Sequence, residues 1–217
     1  MTTHTQLVLF DIGNVILRAT HAITYAILAE LGVRPDQCAL FFHGKHYGDF
    51  ARGKITGHDF ARDVCRVLEV PESADALIRT AHDAHIYAVD EAVLDVLHAL
   101  HGRNVPLAFV TTTNAWQTER ERALIDLAGQ FGPVVRSHEI GMTKTDRDAW
   151  PMILKELGWQ DRDPSSILLV DDSKSNCRAA MGSVGLDYHQ YDPTLVKGIS
   201  ALGHALVERG LLPNELP

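Results

Sequence analysis

Three short apolar runs, Leu7–Phe10 (LVLF), Leu107–Val110 (LAFV) and Ile167–Val170 (ILLV), each end abruptly on a polar residue, and helical periodicities separate them. Uninterrupted runs of this length read as strands buried on both faces. Strands that alternate with helices imply crossovers, and therefore a parallel sheet covered by helices. Val134–Val135 is a weaker fourth run. Val93, Val96, Leu97 and Leu100 fall on one helical face, as do Trp150, Ile153, Leu154 and Leu157, and again Cys177, Ala180, Met181 and Val184. Leu195, Ile199, Leu202 and Leu206 repeat the theme near the C-terminus. The expected fold class is α/β, with a Rossmann-like parallel sheet as the core.

Nearly 100 residues separate the first run from the second, with no convincing strand between them. That is far more than one crossover needs, so a module is inserted there. Its helices are readable: Ile23, Ala26, Ile27 and Leu31 form a stripe ending at Gly32, and Phe60, Val64, Val67 and Leu68 follow a capping box at Thr56 and Asp59. The expected division is a core of residues 1–17 and 89–217 and a small helical insert of residues 18–88.

The formal charge of −8 argues against nucleic acid, whose phosphates need a basic face, and no basic run suggests an anionic membrane surface. No segment approaches the roughly 18 apolar residues of a membrane span, and the start, MTTHTQ, has no leader pattern, so a cytoplasmic protein is expected. Cys38, Cys65 and Cys177 are odd in number and far apart, which reads as reduced core thiols.

In open α/β sheets, ligands bind beyond the carboxyl ends of the strands. The first run delivers Asp11 there. The second delivers Thr111, Thr112, Thr113 and Asn114, and the third delivers Asp171 and Asp172, with Asn176 shortly after. Lys144, in EIGMTKTD, lies in the loop after the weak run. Singly, these are ordinary caps, turns and surface charges. Their order and joint placement on one sheet edge are specific.

That arrangement resembles the haloacid dehalogenase superfamily of hydrolases. Asp11 in FDIGNV matches the first motif, Thr111 in FVTTTN the second, Lys144 in IGMTK the third, and Asp171, Asp172 and Asn176 in LLVDDSKSN the fourth. FDIGNVI with GMTK is most similar to a branch that includes sugar-1-phosphate phosphatases. The resemblance covers almost the whole chain, because the insert falls where that superfamily carries a helical cap. It implies a Mg²⁺-dependent phosphatase acting on a small phosphorylated metabolite. Asp11 would be the nucleophile, forming an aspartyl-phosphate. Thr111 and the Thr112 amide would hold phosphate oxygens, and Lys144 would neutralise charge. Asp11, the Gly13 carbonyl, Asp172 and Asp171 would make the metal site, with the sequence leaving open which acid of the pair binds directly.

Gly13 departs from the commoner pattern, in which an Asp at this position protonates the leaving group and then activates water. Acid–base help is typically worth about 10²–10⁴-fold, so the loss needs a good leaving group, a replacement or slow chemistry. Residues 41–54, FFHGKHYGDFARGK, look like a glycine-rich loop over the site, with His43 and His46 as candidate substrate contacts. The His82/His85 and His98/His101 pairs, away from any expected strand end, read as surface or packing residues, and TERERALIDL after Trp116 as a solvated helix face. Two alternatives stand beside the phosphatase: a metal-independent 2-haloacid dehalogenase, and a non-catalytic binding protein retaining the fold. The adjacent acids Asp171 and Asp172 disfavour the first, because they would repel an anionic substrate without a metal.

Overall fold

The computed structural model describes residues 5–194 and 198–213. In chain order the strands are β1 (Leu7–Phe10), β2 (Leu17–Ala19), β3 (Ile86–Val89), β4 (Leu107–Thr111), β5 (Val134–Arg136), β6 (Ile167–Asp171) and β7 (Asp187–Gln190). Five of them form one parallel sheet in the order β5-β4-β1-β6-β7. β1 is central because all four of its residues are apolar and buried, so it needs cover on both faces. Its register sets Phe10 beside both Phe109 and Val170, which brings the carboxyl ends of β1, β4 and β6 level.

Each face of the sheet is closed by the helices that the periodicity marked. Val8, Phe10 and Phe109 pack with Val93, Leu97 and Leu100 of helix Glu91–Gly102 and with Leu202 and Leu206 of helix Gly198–Glu208. Leu7, Leu9 and Val110 pack with Trp150 and Ile153 of helix Ala149–Glu156 and Ala180 of helix Lys174–Val184. Leu195 lies outside the described residues. Met181, expected on the buried stripe, is half exposed, and Cys177 and Ala180 carry the contact instead.

The sequence reading missed three strands. β7 has the sequence DYHQ and no apolar run to announce it, because an edge strand buries little. β2 and β3 form an antiparallel ribbon, Leu17 opposite Val89 and Arg18 opposite Ala88, at the two ends of the insert. The ribbon begins in a tight turn after Asp11. Ile16 and Leu17 both donate to the Ile12 carbonyl, and Asn14 adopts a left-handed φ of 55°, which Asn tolerates better than most residues.

Beyond the ribbon, residues of the insert build a separate core around Leu28, Phe41, Phe50, Phe60, Val64 and Ile78. Helix Gly57–Val67 starts on the expected capping box: Thr56 Oγ1 accepts from Asp59 N, and Asp59 accepts from Thr56 N. Two expectations fail here. Helix His21–Glu30 buries Thr24 and Leu28 and exposes Ile23, because the Thr24 hydroxyl donates to the Ala81 carbonyl at 2.7 Å and can be buried without loss. Residues 41–54 are not a loop either, since Lys45–Ala51 is a helix that buries Phe50 and Ala51. Among the described residues, no helix is long and apolar enough to cross a membrane. All three cysteines are buried and free.

Candidate active site

Asp11 sits one residue past β1, with its N–H donating to the Val170 carbonyl of β6 at 2.8 Å. Asp171 ends β6 itself and is fully buried. Lys144 reaches this edge from the loop beyond β5, buried to 2% exposure, and joins the two acids: its Nζ lies 2.8 Å from Asp11 Oδ1 and 2.6 Å from Asp171 Oδ2. Carboxylate oxygens of Asp11, Asp171 and Asp172 all lie within 4.8 Å of one another.

This is a buried cluster with one ammonium against three carboxylates. Taking such charges out of water is costly, and one lysine cannot neutralise them all. Burial pushes the Asp11 carboxyl up to about 7; Lys144 opposes the rise, while Asp171 and Asp172 add to it. Asp172 is also raised, first by burial and then by Asp171. Burial works against the Lys144 charge, but Asp11 and Asp171 outweigh it and hold its pKa above the usual lysine value. The cluster therefore carries surplus negative charge that a hard, oxygen-seeking cation would relieve, and its carboxylate donors suit Mg²⁺.

The two adjacent acids are not equivalent. Asp171 is saturated, since Lys144 Nζ, Ser173 N at 2.8 Å and Asn176 Nδ2 at 3.1 Å all donate to it. Asp172 is half-buried and touches the Asn14 side chain. It is the member of the pair with oxygen to spare for a ligand.

Asp11, Gly13, Thr111, Thr112, Lys144 and Asp172 line one cavity of about 230 Å³. The loop bearing the threonines is firmly held. Thr113 N donates to Ser137 Oγ at 2.8 Å, the same hydroxyl lies 2.7 Å from the Ala51 carbonyl, and Lys144 N donates to Thr112 Oγ1 at 3.3 Å. A larger cavity of about 610 Å³ shares Asn14, Leu17, Ala19 and Asp172 with the first and extends past Arg18, Tyr87 and Gln190.

His43 and His46 are not brought to the site. His43 is exposed, His46 lies over Phe60 with ring centroids 5.8 Å apart, and neither lines the cavity. A second wall of the cavity is made instead by His21, His85, Ile86 and Gln117, with Glu121 beside them. Glu121, expected on a solvated face, is buried, and Arg136 holds it at 2.7 Å. His82 and His85 are buried as well, which removes the surface arm of the surface-or-packing reading and leaves packing. His85 immediately precedes β3, a strand that no uninterrupted apolar run announces. His85 lies at the amino end of that strand, so a rule built on carboxyl ends passes over it. His98 and His101 are exposed, flanking Phe131.

Gln117 ties this wall together. Its Oε1 accepts from Asn114 N at 3.2 Å, which orients the amide, so Nε2 faces Tyr47 Oη at 3.2 Å and His85 Nε2 at 3.0 Å. His85 Nδ1 faces the His82 carbonyl and must donate to it, leaving Nε2 as the acceptor. His82 Nε2 in turn lies 3.2 Å from Asn114 Nδ2. Burial drives His85 down to about 4 and lowers His82 as well.

Residues 5–181 match the family of haloacid dehalogenase-like hydrolases. No curated protein sequence matches. Among solved structures, a haloacid dehalogenase family enzyme of Bacteroides thetaiotaomicron in complex with magnesium and inorganic phosphate is 18% identical. It superposes with a TM-score of 0.76 over 88% of this chain and 96% of its own. A haloacid dehalogenase-like hydrolase of Porphyromonas gingivalis, also 18% identical, gives 0.78 over 94% of this chain and 98% of its own.

Proposed function

The chain belongs to the haloacid dehalogenase-like hydrolases, and from that premise we propose that it is a Mg²⁺-dependent phosphatase acting on a small phosphorylated metabolite such as a sugar phosphate. The observation that carries this reading is Lys144 Nζ lying 2.8 Å from Asp11 and 2.6 Å from Asp171, with Asp172 beside them on the same sheet edge. A phosphate monoester is a dianion, and three carboxylates would repel it unless cations were added. Bound Mg²⁺ would supply charge neutralisation and polarise the phosphoryl group. Asp11, the Gly13 carbonyl and Asp172 would hold it directly, with Asp171 positioning Lys144.

The remaining steps belong to this chain's own residues. Asp11, one oxygen held by Lys144 and by Ile12 N at 2.7 Å, attacks phosphorus with the other. The bond to the leaving oxygen breaks and an aspartyl-phosphate forms, which water hydrolyses. Thr111 and the Thr112 amide hold phosphoryl oxygens, while Lys144 offsets their charge. Residues of the insert roof the cavity over the leaving group and limit the entry of bulk water. The magnesium and phosphate bound by the Bacteroides enzyme support this reading. Displacing halide from a 2-haloacid without metal would set an anionic substrate against an unrelieved carboxylate cluster, which disfavours that alternative.

The direct test is phosphate release from sugar 1-phosphates, an acyl phosphate and an aryl phosphate, in Mg²⁺ and in EDTA, beside Asp11→Asn. Release that needs metal and disappears in the variant is expected. Metal-independent halide release from a 2-haloacid, with no phosphate release from any substrate, would contradict the proposal.

A further inference from the structure

Hydrolysis of a phosphoryl group from Asp11 needs a proton acceptor beside the attacking water. The floor of the cavity does not offer one. Gly13 has no side chain, Asp171 is saturated by three N–H donors, and Lys144 is a cation held by two acids. Asp172 is the acid left for the metal, and Glu121 is engaged by Arg136 at 2.7 Å. Two imidazoles also line the cavity. His21 is exposed and lies flat on Phe42, with ring centroids 3.9 Å apart. His85 is buried and held at both nitrogens.

Resting on the phosphatase reading above, we propose that His85 is a catalytic residue whose Nε2 takes the proton of the water that hydrolyses phosphorylated Asp11. The water oxygen bonds to phosphorus as the bond from phosphorus to the Asp11 oxygen breaks, and that electron pair returns to the Asp11 carboxylate. The water proton passes to Nε2, and the imidazolium gives it up to solvent.

Three features of the wall suit His85 to this step. The His82 carbonyl locks the proton on Nδ1, which leaves the Nε2 lone pair as the acceptor of a ring that lines the cavity. Gln117 Nε2, which fills that lone pair, also reaches the Tyr47 hydroxyl at 3.2 Å and keeps this second partner when a water takes its place. Burial holds the imidazole's pKa down at about 4; the His82 and His21 rings add to the fall, while the hydrogen bond to the His82 carbonyl and Asp83 oppose it. The other groups around the ring, Gln117 and the edge-on Phe42, are uncharged. The resulting basicity matches that of an ordinary carboxylate, about 3.9.

Position 13 supplies a control for this role. A Cβ built on Gly13 meets nothing within 4 Å, and its backbone is not in the left-handed region, so an aspartate there would enter the same cavity beside Asp11. The experiment is rapid acid quench during turnover of a sugar 1-phosphate. Phosphate bound to Asp11 is quantified by mass spectrometry in the wild type, His85→Gln and the Gly13→Asp/His85→Gln double variant. Turnover of His85→Gln should fall about 10²-fold while its phosphorylated fraction rises, and Gly13→Asp should restore most of the rate. A role confined to packing would slow both steps, with no build-up of intermediate and no recovery in the double variant. That result, or an unchanged His85→Gln, would overturn the proposal. If the wild type itself turned over no phosphate ester, the phosphatase reading would fail too, a result distinct from a defect confined to His85→Gln.

Discussion

The floor and the roof of the cavity are built on opposite electrostatic principles. The floor, at the carboxyl ends of β1, β4 and β6, concentrates full charges in a buried cluster: Lys144 with Asp11 and Asp171, and Asp172 alongside. The roof, at the foot of the insert, is as deeply buried at His82 and His85 but carries imidazoles pushed toward neutrality, joined through the Gln117 amide. Buried full charges suit binding a dianion and a metal, where the gain is electrostatic. Buried neutral donors and acceptors suit moving a proton and meeting an uncharged leaving group, where an unpaired charge would be costly. On the proposed reading, one cavity divides its chemistry between two regions of the chain.

Removing the proposed nucleophile breaks the comparison most severely. Asp11→Asn should lower turnover by ~10⁴-fold or more while leaving Lys144 paired with Asp171, as steady-state kinetics and thermal melts together will show. Next is the lysine that holds the floor together. Lys144→Ala leaves buried carboxylates without their counterion and should cost about 3–5 kcal/mol in denaturant unfolding at neutral pH in EDTA. Added Mg²⁺ should recover part of that loss, because a ligand bound only to the folded state stabilises it.

The roof titrates, which gives a third test. His85 has a pKa of about 4 folded against 6.5 unfolded, so between those values the unfolded chain binds more protons. Its contribution to stability is present above pH 6.5 and is lost as the pH falls through about 4, amounting to at most about 3 kcal/mol. His85→Gln should therefore flatten the stability profile between pH 4 and 6.5 while leaving it unchanged in slope above pH 7.

The smallest effect concerns how roof and floor are clamped. Arg52 pairs with Asp146 through two bonds, 2.9 and 2.7 Å, and reaches Thr143 Oγ1 at 3.1 Å, joining the insert to the loop that carries Lys144. Both partners are about a third exposed or less, so Arg52→Ala should cost no more than about 1 kcal/mol. Its clearer signature should be a raised KM, measured in the same phosphate-release assay.

The floor was legible in the sequence and the roof was not, for a physical reason. Asp11, Thr111, Lys144 and Asp171 follow apolar runs or a nearby loop, so a buried parallel strand announces where its last residue points. The roof depends on β3, in which only Ile86 of IYAV is buried and no such signal arises, and on helix faces that polar residues occupy. Thr24 displaced Ile23 from the buried face because its hydroxyl found the Ala81 carbonyl, and Glu121 was buried because Arg136 met it; no periodicity reports such pairings. His43 and His46 looked suitable because of their setting among glycines, yet Gly44, with φ 92°, starts a helix there.

The measurement that tests the account most directly is the mass of the Asp11-containing peptide after acid quench, taken during turnover of a sugar 1-phosphate with Mg²⁺. The account predicts a gain of one phosphoryl group on Asp11, absent in EDTA and absent in Asp11→Asn. Metal-dependent phosphate release that persists in Asp11→Asn, with no adduct on the wild-type peptide, would contradict it.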